Sequence, residues 1–158
     1  MTDNRDPSPA PDLSVRQFTG DLIDAATAGD YDDVAEALAV LARAGSPRVP
    51  AGVVGDLVGR CAAAVRGHHG PGADTVFTVV LEDEQGERAE VERLPPGPRA
   101  AMRALLAALN HDRPSRDIQV ELATRGTPAD IVGVLTHLLV WLAELAEPSA
   151  AALSCFTD

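Results

Sequence analysis

Lysine is absent from this chain of 158 residues, and all 13 of its lysine-or-arginine positions are arginine. That absence excludes chemistry built on a side-chain amine: Schiff-base catalysis, pyridoxal-phosphate attachment, and the phosphate-binding lysine of nucleotide hydrolases and protein kinases. Aromatic residues make up only 3 %, so leucine, valine and alanine have to fill the core. Two cysteines, Cys61 and Cys155, are no disulfide framework. The opening Met1-Thr-Asp-Asn-Arg-Asp6 lacks the apolar core of a secretory signal. The longest apolar run, Ile131 to Ala143, contains Thr136 and His137 and is bounded by Asp130 and Glu144. It falls short of the roughly 20 residues that cross a bilayer and reads as a buried helix. A net charge of −11 and a pI near 4.6 work against a surface for nucleic acid or an anionic leaflet, either of which needs clustered cations. The expectation is a cytoplasmic protein that binds neither nucleic acid nor membrane.

What is present reads as a globular, mainly α chain. Hydrophobic residues reach 46 % and the length suits one domain around one core. The expected organisation is an N-terminal tail over 1–11, a helical domain over 12–147 and a C-terminal tail over 148–158. The domain divides into a first helical half, 12–67, a β-hairpin, 75–94, and a second helical half, 98–147. About six helices are expected, as two halves that each join a helical hairpin to a third helix.

The local signals are these. Ser14 and Gln17 have capping-box spacing ahead of Val15, Phe18, Leu22, Ile23 and Ala26, a helical stripe that stops at Gly29. Asp30 caps a second helix with Asp32 and Asp33 in its first turn and Tyr31, Val34, Leu38 and Leu41 as its buried stripe, ending at Gly45. Pro47 or Pro50 opens a third, with Val54, Leu57, Val58, Cys61 and Val65 inward, until Gly67-His-His-Gly-Pro-Gly72 breaks it. The β-branched run Thr75 to Leu81, a turn at Glu82–Gly86 and alternation through Ala89, Val91 and Arg93 predict the hairpin, its Phe77, Val79, Leu81 face lying on the helices or its edge pairing with a second copy. After Leu94-Pro-Pro-Gly-Pro98 a fourth helix carries Met102, Leu105, Leu106 and Leu109. Residues 112–125 alternate like a strand at Ile118, Val120 and Leu122, yet also stack Ile118 on Leu122 at helical spacing; helix is favoured. Thr127, Pro128 and Asp130 then start a sixth helix so apolar that it belongs at the centre of a bundle or at an interface.

One layout occurs twice: Leu41-Ala-Arg-Ala-Gly45-Ser46-Pro47 and Leu122-Ala-Thr-Arg-Gly126-Thr127-Pro128. Two such tight turns resemble those of helical-repeat units such as tetratricopeptide modules, although the aromatic signature positions of those repeats are missing and no functional residue carries over. Gly126 with Val132 and Leu135 also resembles the turn of a helix-turn-helix, but the following helix offers Asp130, Gly133, Thr136, Val140 and Glu144 where base-reading side chains would stand.

No catalytic constellation is evident, which leans the reading away from an enzyme, and no cofactor or metal is implied. His68, His69 and His111 lie in two predicted loops and could meet around zinc only without any cysteine or acid at a recognised spacing. His137 reads as a core or interface histidine, Cys61 as a small buried hydrophobe and Cys155 as an exposed thiol with no cation beside it. The Gly52-Val-Val-Gly-Asp-Leu-Val-Gly59 glycines follow no strand and are no dinucleotide fingerprint. Charge is the remaining clue. From Gln17 through Ala42 there are six acids and no arginine, whereas five arginines stand between Arg99 and Arg125 against three acids. Asp32, Asp33 and Glu36 on one side, and Arg99, Arg103, Arg113 and Arg116 on the other, are the candidate partner-binding residues, suited to docking within the chain or between copies. The functional expectation is a protein partner or self-association, as adaptor, regulator or assembly component; the alternative is a ligand- or metal-binding domain or enzyme whose site collects scattered His and Arg residues.

Overall fold

The computed structural model describes residues 13–70, 75–148 and 152–155. The predicted N-terminal tail over 1–11, the Pro71-Gly72 end of the predicted loop, and residues 149–151 and 156–158 of the predicted C-terminal tail lie outside these. The fold is mainly helical: α1 (Leu13–Ala28), α2 (Tyr31–Ala42), α3 (Arg48–His69), a two-stranded hairpin β1 (Leu81–Glu82) and β2 (Arg88–Ala89), a 3₁₀ turn (Val91–Arg93), then α4 (Pro96–Leu109), α5 (Arg113–Ala123) and α6 (Pro128–Ala146).

The helices form two interlocked halves. α3 lies against α6 at the centre; α1 packs on α3 and α4 on α6, while α2 reaches across to α6 and α5 to α3. The pairs joined by the repeated layout therefore do not form the closely packed hairpins that tight turns suggest. α5 packs chiefly on α4, and α2 more on α6 than on α3. α5 and α6 likewise lack the close packing of a helix-turn-helix pair. Leu57, Val58, Leu135, Leu138 and Trp141 have no exposed surface, so α3 and α6 supply the inner core. With 19 residues, α6 is long and apolar enough to cross a membrane by length and composition, longer than the apolar run alone implied. Within this fold its stripe is instead covered by other helices.

Helix ends explain most of the boundaries. α1 closes in a Schellman motif: Gly29, at φ 82°, donates to the Ala26 carbonyl and Asp30 to that of Ala25. α4 closes the same way, but with His111 at φ 58° in the position glycine usually takes, donating to Ala108 while Asp112 donates to Ala107. α5 is a helix as favoured, capped by the Asp112 carboxylate, which accepts from the Ser115 amide. α6 opens with the full capping box of Thr127 and Asp130.

Several local expectations are corrected. α1 begins at Leu13, so Ser14 sits in the first turn instead of capping it. Asp30 precedes α2 but its side chain makes no capping bond, and Tyr31 is 72 % exposed, outside the buried stripe. α2 stops at Ala42, ahead of Gly45. α4 starts at Pro96, ahead of Pro98. α3 runs through Gly67 to His69 and ends at Gly70, φ 71°. A helical glycine costs only about 1 kcal/mol against alanine. Arg66 in that last turn donates to the Ala108 and Leu109 carbonyls at 2.7 and 3.4 Å, tying the end of α3 to the end of α4.

The hairpin is shorter than its β-branched run. Only Leu81 pairs with Ala89 and Glu82 with Arg88, around a turn in which the Asp83 carboxylate accepts the Gln85 and Glu87 amides. Residues 75–80 are extended without a ladder. Asn110, the residue capping α4, takes the partner strand's place at Phe77, accepting its N–H at 2.8 Å and donating to its carbonyl at 3.0 Å. Phe77 and Val79 do face the helical core, as their alternation predicts.

Candidate functional site

The acidic surface is set by the core. Val34, Leu38 and Leu41 turn one stripe of α2 inward, which leaves Asp32, Asp33 and Glu36 exposed on the opposite side. Asp21 and Asp24 are exposed on α1 and Asp30 between the two helices. Among the described residues no ion pair joins any of these six acids to an arginine. Val40, 67 % exposed, continues the same side of α2 beyond Glu36. An acidic row beside an exposed aliphatic side chain is thus available to a partner.

The four candidate arginines share the α4–α5 pair but split into two groups. Arg103 pairs with Glu92 at 3.1 Å, and Arg99 donates to the Glu92 carbonyl at 3.5 Å. Arg116 is half-buried and pairs with its neighbour Asp117 at 3.3 Å, while Arg113 is exposed at the first position of α5. The acidic α1–α2 surface does not meet them within the chain, since α3 and α6 separate the two regions. Docking inside one molecule is not formed; docking between copies is the form left open.

Of the predicted loop histidines, His68 and His69 are helical, while His111 lies in the turn between α4 and α5. His68 Nε2 lies 2.6 Å from the Leu145 carbonyl at the end of α6, and His69 Nδ1 lies 3.0 Å from its own helix's Val65 carbonyl, its ring edge-on to Phe77. His137 is buried against Trp141, with Nδ1 2.9 Å from the Gly133 carbonyl. Among the described residues no three His, Cys, Asp or Glu side chains are grouped to hold a metal ion. Both His68 and His69 line a cleft of about 650 Å³, walled by the extended segment at Phe77–Leu81, by Met102 and Leu105 of α4, and by Leu153 and Cys155.

The thiols are poor nucleophiles. Burial pushes Cys61 up to about 12, and its S–H points at the Leu138 carbonyl. Cys155 is half-buried, not exposed as expected; burial, and then the Glu144 carboxylate, push its thiol up. Neither forms a thiolate readily near neutral pH.

Residues 152–155, expected to belong to a tail, lie along α6. The Trp141 indole donates to the Ser154 carbonyl at 2.7 Å, and the Glu144 carboxylate accepts both the Ser154 amide, at 2.8 Å, and its hydroxyl. One sequence signal could have pointed here: a tryptophan in the middle of an apolar helix needs an acceptor for its N–H.

No known protein family, no curated protein and no solved structure matches this chain.

Proposed function

We propose that this is a small acidic adaptor, regulator or assembly component of the cytoplasm, which acts by binding another protein through the exposed acids of α1 and α2. Its first partner is a second copy that presents the arginines of α4 and α5. The observation that carries this reading is that, among the described residues, no intrachain ion pair reaches the six acids, while Arg113 stands exposed on the other helical pair. In a two-fold dimer each acidic surface meets the partner's arginines once, so the contact closes instead of propagating. Rim charges of this kind set association rate and salt dependence. Sedimentation velocity at low and moderate salt tests it. Asp33→Arg with Glu36→Arg should weaken association and flatten its salt response; association unchanged in a folded double variant rejects the surface.

A second reading, a ligand-binding domain, is supported by the 650 Å³ cleft, whose size and apolar walls suit a small molecule and whose rim carries His68 and His69. A thermal-shift screen of metals and metabolites separates the two, because only the second predicts a saturable rise in melting temperature.

A further inference from the structure

The segment held against α6 is bound as a peptide would be. Leu153 and Cys155 are half-buried and alternate with exposed Ala152 and Ser154, the period of an extended chain. Trp141 and Glu144 stand three residues apart on α6, hence on one face. Between them they satisfy the Ser154 carbonyl, amide and hydroxyl. These groups read main chain and one hydroxyl. The side chains on either side, Leu153 and Cys155, pack on the core and line the cleft, whose far walls are Val65, Met102 and Leu105. Main-chain hydrogen bonds for affinity, with apolar pockets for alternate side chains, are the chemistry of extended-peptide recognition.

The indole also favours exchange over simple opening. Trp141 is fully buried with the segment in place, so if the segment left unreplaced the ring would lose apolar cover and its N–H would exchange a protein acceptor for water. A competing segment with the same donors and acceptors removes that cost.

We propose that Trp141, Glu144 and the adjoining cleft form a binding site for an extended peptide of apolar–Ser/Thr–apolar sequence, occupied in this state by the chain's own Leu153-Ser154-Cys155. A partner protein's segment of that chemistry exchanges with it. The site is separate from the acidic surface of α1 and α2 and does not depend on it.

The test uses the full chain, whose only tryptophan is Trp141. The probe is a fluorescein-labelled synthetic peptide with the sequence of residues 149–158, kept reduced. Ser154→Asp sets a second carboxylate against Glu144 and should expel the chain's own segment, seen as a red shift of tryptophan emission. The variant should then bind the probe at least about tenfold more tightly than the parent, because a tethered competitor at millimolar effective concentration has been removed. Adding Glu144→Lys to Ser154→Asp should re-seat the chain's own segment, seen as a return of the tryptophan emission to the parental position. A folded Ser154→Asp protein that does not bind the probe, or binds it no better than the parent, overturns the proposal. Should Ser154→Asp unfold, excess unlabelled peptide added to the isotopically labelled parent protein must shift the backbone amide resonance of the chain's own Ser154, because that segment is displaced. An unmoved resonance overturns the proposal equally.

Discussion

Asp130 and Thr127 hold each other at the start of α6: the Asp130 carboxylate accepts the Thr127 amide at 2.7 Å and its hydroxyl at 2.8 Å, and the Thr127 hydroxyl accepts the Asp130 amide at 3.3 Å. The pair occupies the space beside Gly126. A Cβ placed there would stand 2.6 Å from the Asp130 Cβ, whereas one at Gly45, its counterpart in the repeated layout, meets nothing within 4 Å. Gly126→Ala should therefore disrupt the cap and cost about 1 kcal/mol or more. Gly45→Ala should be neutral or stabilising by up to about 1 kcal/mol, since alanine narrows the unfolded ensemble. Urea unfolding of the two variants checks the contrast, and equal effects would contradict it.

The same cap makes stability pH-dependent. Hydrogen bonds from Thr127 hold the Asp130 carboxyl below the ordinary carboxylate value, and those from Ser115 do the same for Asp112. A lowered folded-state pKa gives a contribution fully present above the ordinary value and lost as pH falls through the lowered one. The stability difference between the parent and Asp130→Ala should thus be larger near pH 7 than near pH 2. A difference that does not change over that range would remove the carboxylate from the account.

Leu138 is fully buried at the centre of α6. Leu138→Asp puts an unpaired charge there and should cost about 4 kcal/mol or more, unfolding the chain or forcing the carboxyl to stay protonated. A melting temperature equal to the parent's would show that α6 is not the central helix.

His111 adopts a left-handed conformation, φ 58°, that costs an L-residue about 1 kcal/mol. His111→Gly should recover roughly that amount, less the entropy a glycine adds to the unfolded chain. Thermal unfolding measures it. Destabilisation instead would mean that the imidazole makes a contact worth more than the strain.

Legibility follows locality. The α6 cap, the Asp32–Asp33 first turn and the inward stripes of α3 and α4 are set by residues within one or two turns of each other, and the chain displays them directly. Residues 112–125 read ambiguously because Ile118, Val120 and Leu122 alternate like a strand while Ile118 and Leu122 also stack at helical spacing; in the fold Ile118 and Leu122 are exposed and the helix buries Val120 and Ala123. The β-branched run at 75–80 forms no ladder because its backbone partner is Asn110, 33 residues past Phe77. Arg66 carrying α3 past Gly67, and Ser154 returning to Trp141, likewise depend on partners distant in the sequence or beyond a helix end, which periodicity does not encode. Of the candidate site, the exposure of Asp32, Asp33 and Glu36 was legible from helical period; the neutralisation of Arg103 by Glu92 was not.

Complementary charge reversal tests the central claim most directly. Asp33→Arg with Glu36→Arg in one copy, and Arg99→Glu with Arg113→Glu in another, should each weaken self-association. Mixed in equal amounts at low salt they should associate, because each reversed surface then meets its opposite. Sedimentation of the mixture as a heterodimer is the result this account predicts. A parent protein that is monomeric at every salt concentration, or folded variants that stay monomeric when mixed, would contradict it.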